Sequence, residues 1–186
     1  MLPCKMKTVF LLSSTFMLLC SIVLLSAGCT KKDQAQPALA REGWITDHAK
    51  ILPQSDNNRL SASLEAFEKE TCHQIFVVII PSLAGESMAE FSQRTATAWD
   101  IGQPGFGNGI LLSIAMQEGD LRLETASAFE WFIEQGTSDR VLKEVMVPYF
   151  REKKFVEGIE QGLLEIMRAA RLKVIPDDHR PAVCRK

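Results

Sequence analysis

The sequence predicts an α/β domain placed outside the cytoplasm: a small mixed β-sheet with helices on both faces, three layers deep. Three observations lead there. The first 28 residues have the order of an export signal. Beyond them, Ile75-Phe76-Val77-Val78-Ile79-Ile80 is apolar at every position, as a strand covered on both faces is. Strand-like runs then alternate with helical periods, the pattern of a sheet layered between helices.

The start of the chain carries the compartment. Lys5 and Lys7 form a short basic opening, and Thr8 to Leu25 follows without a charge. Ser26-Ala27-Gly28 then leads into Cys29, which reads as a lipobox with its leucine, Leu25, one place early. Residues 1–28 are therefore expected to be a lipoprotein signal peptide, with Cys29 acylated. The alternative is an uncleaved helix, since 18 apolar residues just span a bilayer. Both readings export everything after Cys29. Thr30, in place of Asp, implies the outer membrane where a cell has two. The expected location is the bacterial cell envelope, lipid-anchored on the exported side. Residues 29–43, with Gln, Ala and Pro and no apolar period, read as a tether.

The folded region is expected over 44–172. Ser55-Asp56 offer an N-cap, and Leu60, Leu64 and Phe67 recur at helical spacing, giving a helix over 55–70. Gln74 to Pro81 is the first strand. Ser87 and Glu90 form a capping box for a helix through Trp99. The loop Gly102-Gln103-Pro104-Gly105-Phe106-Gly107-Asn108-Gly109 precedes a second strand, Ile110 to Met116. A phosphate-binding loop follows a strand and opens a helix, so this one reads as a connection. After a turn around Gly119, Leu121 to Glu124 alternates like a strand with one wetter face. Thr137-Ser138-Asp139 caps a helix that ends near Pro148. Phe155, Ile159, Leu163, Ile166 and Ala170 mark the last helix, and residues 173–186 form a loose polar tail.

Composition narrows the function. The 186 residues are 46% hydrophobic and 24% charged with net charge −2, which suits one globular domain and gives no basic surface for nucleic acid. Without residues 1–28 the balance is 19 basic against 23 acidic side chains, net −4, so membrane affinity must come from the lipid. With Cys4 and Cys20 in the signal and Cys29 lipidated, Cys72 and Cys184 remain, as one disulfide or two thiols. A zinc set of Cys72, His73, His179 and Cys184 lacks a recognised ligand spacing. There is no Gly-x-Ser-x-Gly elbow for a serine nucleophile. Trp99, Phe129 and Trp131 read as core or rim residues.

Several short pieces, in order, resemble the TPM domain family: Ile45-Thr46-Asp47-His48-Ala49-Lys50-Ile51-Leu52, Trp99-Asp100-Ile101-Gly102, Gly107-Asn108-Gly109-Ile110-Leu111-Leu112, Leu123-Glu124, Glu130, Ser138-Asp139, Pro148-Tyr149-Phe150-Arg151 and Gly158-Ile159. The resemblance implies a bacterial exported domain whose relatives differ in role. A lumenal plant member is described as an acid phosphatase linked to photosystem repair, others bind divalent metal, and a nematode member is a receptor subunit. It also implies a hard-metal set, calcium or magnesium, from Asp47, Asn108, Glu130 and Asp139, with Asp100 less expected because its place is variable. Other readings stand beside each: Asp139 as a helix cap, Asn108 as a turn residue, Asp47 as part of a local turn.

Two departures bear on function. Ala126 and Ala128 stand where the family has Gly-x-Gly, and alanine resists positive φ. Lys153 and Lys154 occupy a stretch where the family has an acid. Two functions remain. One is a non-catalytic envelope module that binds a protein partner and a divalent ion. The other is a metal-dependent acid phosphatase acting on phosphomonoesters.

Overall fold

The computed structural model describes residues 39–130 and 135–173. The signal peptide, Cys29, Trp131, His179 and Cys184 fall outside them. Among the described residues no helix is long and apolar enough to cross a membrane.

Four strands form one sheet: β1 (Ile45–Asp47), β2 (Gln74–Ile80), β3 (Gly109–Ala115) and β4 (Asp120–Thr125), lying side by side in that order. β1, β2 and β3 are parallel and β4 is antiparallel to β3, so the sheet is mixed as expected. Three of the strands fall where the apolar runs place them. β1 is three residues long, too short to show a period.

The helices are α1 (Gln54–Thr71), α2 (Met88–Ala98), α3 and α4 (Phe155–Ala170). α1 starts at Pro53 with no side-chain cap rather than at Ser55-Asp56; Asp56 sits in the first turn, where a carboxylate favours the helix dipole. α2 has the capping box, with Ser87 Oγ accepting from Glu90 N–H and the Glu90 carboxylate accepting from Ser87 N–H.

The segments Thr137–Asp139, Arg140–Met146 and Val147–Arg151 run on as α3, and the middle seven residues are π-wound. The helix does not stop near Pro148. Val147 N–H reaches back five residues to Leu142 O, and Pro148 follows where the π-wound stretch passes into the α-helical one. Gly136, left-handed at φ 67°, is the N-cap, so Asp139 lies inside the helix and does not cap it.

β2 shows why its sequence is apolar throughout. Ile75, Val77 and Ile79 pack with Leu60, Leu64 and Phe67 of α1 and Ile159, Leu163 and Ile166 of α4. Phe76, Val78 and Ile80 face the other way, against Met88, Phe91 and Ala96 of α2. The helices therefore cover both faces. Both crossovers, β1 to β2 and β2 to β3, step in the same direction along the sheet, yet α1 and α2 lie on opposite faces. They are of opposite hand, so one departs from the usual right-handed rule.

Ion pairs join α1 to α4 at two levels, Arg59 with Glu160 and Arg171 with Glu70 at 2.7 Å. Both pairs advance together, so the two helices run parallel.

The segment before β1 is not all tether. Leu39 and Trp44 pack on the α2 side of the core. Trp99 Nε1 donates to Leu39 O at 2.7 Å, the Arg41 guanidinium lies 4.8 Å above the Phe76 ring, and Trp44 stacks on Phe76 at 5.1 Å. Residues 39–43 thus belong to the folded body. They form a strap over Phe76, because α2 leans toward β4 and leaves the β2 side of that face to be covered.

Candidate functional site

The residues named from the sequence fall at two ends of the sheet. Asp47 ends β1 beside Ile79 of β2, while Asn108 precedes β3 beside the first residue of β2, Gln74. Five residues of β2 separate these levels, about 17 Å along the strand. Asp47 and Asn108 therefore do not converge.

Each also has a local partner. Asp47 Oδ2 accepts the Leu52 N–H at 2.8 Å and shapes the turn into α1; its Oδ1 is buried without a hydrogen bond among the described residues. Asn108 is fully buried. Its Oδ1 accepts Gln103 N–H at 2.7 Å, and its Nδ2 donates to Cys72 O and toward Gln103 Oε1. Gln74 Nε2 and Gln103 Nε2 donate to Glu68 Oε1, and Gln74 Oε1 accepts Gly102 N–H. This amide network fastens the 102–108 loop to the end of α1. The glycines serve close approach: a Cβ on Gly109 would lie 2.4 Å from Gly102 N, and one on Gly102 2.9 Å from Gly109 N.

Asp139 is exposed and pairs with Lys143 at 2.8 Å. Glu130 is exposed at the end of the 3-10 turn Ser127–Phe129. Lys153 and Lys154 sit in the turn between α3 and α4, where Lys154 bonds Glu152 at 2.7 Å and holds that carboxyl below its usual range. Cys72 is buried at the left-handed end of α1. Trp99 and Phe129 are core residues, as expected.

One open depression, about 280 Å³, lies between the end of α2 and β4. Gln93, Thr97, Asp100, Glu124, Thr125 and Ala126 line it. Asp100, the acid least expected to matter, is the only one of the five named metal candidates on its wall. It is held in a left-handed conformation at φ 49°. Glu124 comes from β4, where the register with Leu111 turns it toward the α2 face; Arg122 Nε donates to its Oε2 at 2.9 Å. Thr125 Oγ1 is buried and makes no hydrogen bond among the described residues. From the sequence, Glu124 reads as a strand residue and a piece of the family pattern but not as a ligand, and Thr125 is not singled out. Only the antiparallel register brings Glu124 to Asp100; Thr125, opposite Ile110, turns its side chain to the α1–α4 face.

Calcium takes six to eight oxygen ligands and magnesium about six. The depression supplies two carboxylates, one of them already paired with Arg122. Among the described residues no three His, Cys, Asp or Glu side chains come together as a metal group. The donor set named from the sequence does not fit such an ion.

The loop with the departed glycines has settled into ordinary geometry. Ala126 has φ −75°, its N–H bonds Gly109 O at 2.9 Å, and Ala128 N–H bonds Gly107 O at 2.9 Å. Neither alanine has a positive φ.

A mixed four-stranded sheet between helices, with a depression at the α2–β4 corner, defines a three-layer α/β/α domain. The sequence profile of the TPM domain family matches residues 45–169, and the chain belongs to that family. Three solved structures share the fold. The N-terminal domain of a Porphyromonas gingivalis protein (P. gingivalis) is 26% identical, with TM-score 0.62, covering 67% of this chain and 80% of that one. The N-terminal domain of a Corynebacterium glutamicum protein is 15% identical, TM-score 0.55, covering 73% and 85%. The protein BA42 of Bizionia argentinensis is 12% identical, TM-score 0.61, covering 73% and 93%. No curated protein is significantly similar to the chain.

Proposed function

We propose that this chain is an exported, lipid-anchored TPM-domain protein that acts as a non-catalytic binding or assembly module at the bacterial cell envelope. One observation carries the reading. The loop where the family has Gly-x-Gly is here a closed turn, with Ala126 and Ala128 bonded to Gly109 and Gly107 and with Phe129 buried beneath. Such a turn spends the Ala126 and Ala128 amides on the protein's own backbone and leaves neither for a ligand. The scatter of Asp47, Asn108 and Asp139, each already partnered, supports the same reading.

Hydrolysis of a generic phosphomonoester by the full chain tests it, with and without calcium or magnesium, beside the Ala126→Gly/Ala128→Gly variant. Neither protein is expected to exceed buffer. Brisk metal-dependent turnover by the natural chain would refute the module reading. The anchor is tested separately by fractionation: Cys29→Ser should leave the membrane fraction or persist as precursor, and an intact Met1 on most wild-type protein would oppose it.

A second reading, a metal-dependent phosphomonoesterase, is favoured by the placement of Asp100 and Glu124 on one wall. Under it, Asp100→Asn and Glu124→Gln should each abolish both hydrolysis and any response to calcium or magnesium.

A further inference from the structure

We propose that the strap at 39–43 sets the shape of the α2–β4 depression. Seated, it holds Trp99 and with it Asp100 in the wall; lifting it lets the wall relax. The device rests on the depression being a site, not on which ligand that site takes.

Asp100 sits in a place that must be held. At the end of α2, Asp100 N–H bonds Thr97 O and Ile101 N–H bonds Ala96 O, both at 3.2 Å, and Asp100 is left-handed. This is a Schellman ending, whose left-handed place usually belongs to glycine. Aspartate takes it only at a cost in strain, and such strain persists when the surroundings fix it. Two clamps flank it. On one side Gly102 N–H donates to Gln74 Oε1 at 3.0 Å. On the other, Trp99 is 7% exposed, its ring meets Phe76 edge-on at 6.4 Å, and its Nε1 donates to Leu39 O. That acceptor belongs to the strap. A buried indole N–H that loses its acceptor is destabilised. With the strap lifted, the Trp99 ring would turn toward water, and Asp100, the next residue, would move with it.

The strap is built to lift. Ala40, Arg41, Glu42 and Gly43 are exposed. The segment is held by the Leu39 carbonyl, by the Arg41 cation over Phe76, and by Glu42 N–H on Thr46 Oγ1 at 3.0 Å. The sheet starts just beyond it, where Val77 N–H bonds Trp44 O at 2.9 Å and Ile45 is buried. Gly43 lies between, at φ 143° with open space where a Cβ would stand, and serves as the hinge. Segments with exposed backbone and few buried contacts open first. By linkage, a ligand that needs the wall in place favours the seated strap. A partner that draws the strap away weakens that ligand by the same factor.

The test is amide hydrogen exchange of the full chain in mild detergent, read residue by residue by NMR. The double variant R41A/G43V removes the cation and puts a β-branched residue where φ is positive. Glu42 N–H should lose its protection, which shows the strap lifted. Exchange at Asp100 and Ile101 is then expected to rise about ten-fold or more. Met116, whose N–H bonds Ile80 O at the opposite end of β3, should not change. Trp99→Phe keeps a ring and removes the donor, so Glu42 should be freed from the other direction. Arg41→Lys keeps a cation and should match wild type. A freed strap with Asp100 and Ile101 unchanged overturns the proposal, as does an equal rise at Met116, which would be general loosening. A Glu42 amide that stays protected in R41A/G43V overturns it too, by removing the hinge. Every arm reads the wall without added calcium or magnesium, so failure of the metal reading would leave these outcomes untouched.

Discussion

The Asn108 side chain reaches across the start of the sheet and donates to the backbone carbonyl of Cys72, 36 residues earlier. That bond ties the end of α1 to the loop before β3, while the amide oxygen that a metal ion would need accepts the Gln103 N–H. Asn108→Asp would swap a donor for a buried negative charge beside a carbonyl. Loss of about 2–4 kcal/mol is expected, with about 1–3 kcal/mol for Asn108→Ala. Urea unfolding of the full chain measures both. An Asp variant as stable as wild type would show that this network does not hold the loop.

Asp47 acts at the far end of the sheet through one hydrogen bond, from Leu52 N–H to Oδ2. Asn preserves an acceptor there and Ala does not. Asp47→Asn should cost little, and Asp47→Ala about 1 kcal/mol. Neither Asp47→Asn nor Asp139→Asn should change calcium or magnesium binding, read by calorimetry. An affinity drop in either variant would restore that residue as a ligand.

Gly162 of α4 lies against Met146 of α3. A Cβ there would lie 2.5 Å from Met146 Sδ and 2.6 Å from its Cγ, and Met146 is fully buried. Gly162→Ala gains about 1 kcal/mol in helix propensity and meets an overpacking cost of about 1–3 kcal/mol. Net destabilisation is expected in urea. Adding Met146→Ala should relieve the clash, so the double variant will lose less than the two single losses together.

Acid should loosen the fold in a defined window. The carboxyl of Glu90 is held below its ordinary 4.5 by the Ser87 hydroxyl, then by the Ser87 amide. Glu118 is held down by the Ser82 hydroxyl, and Glu165 by Arg168 and Arg140. Each is lower folded than unfolded, so its contribution is complete above the unfolded value and lost as pH falls through the folded one. Urea midpoints should be flat from pH 7 to about 5 and fall below about 4.5. Ser87→Ala should make the fall shallower. An equal fall in that variant would remove Glu90 from the account.

The layered fold was legible because β2 and β3 are apolar on both faces and α1 and α4 repeat their apolar residues by turns. Ser87 and Glu90 announced the start of α2 in the same way. β1 was not legible, since three residues carry no period, and the path of α3 through Pro148 depends on a π-wound stretch that has no sequence period of its own. The candidate site was read less well. Asp47 and Asn108 look like ligands in a string of letters, but their side-chain oxygens accept the nearby Leu52 and Gln103 amides. Glu124 and Asp100 are 24 residues apart, and only the β3–β4 register and the end of α2 bring them to one wall.

The strap over Phe76 has a consequence for reach. A lipid on Cys29 would leave ten peptide steps to Leu39, where the chain is already fixed to the domain through Trp99. Fully drawn out, that leash is about 35 Å. Had the fixed body begun at Trp44, the leash would run about 50 Å. With that anchor the shorter leash would keep the domain close to its own bilayer, and a partner would have to approach to within roughly one domain width of that surface to be caught.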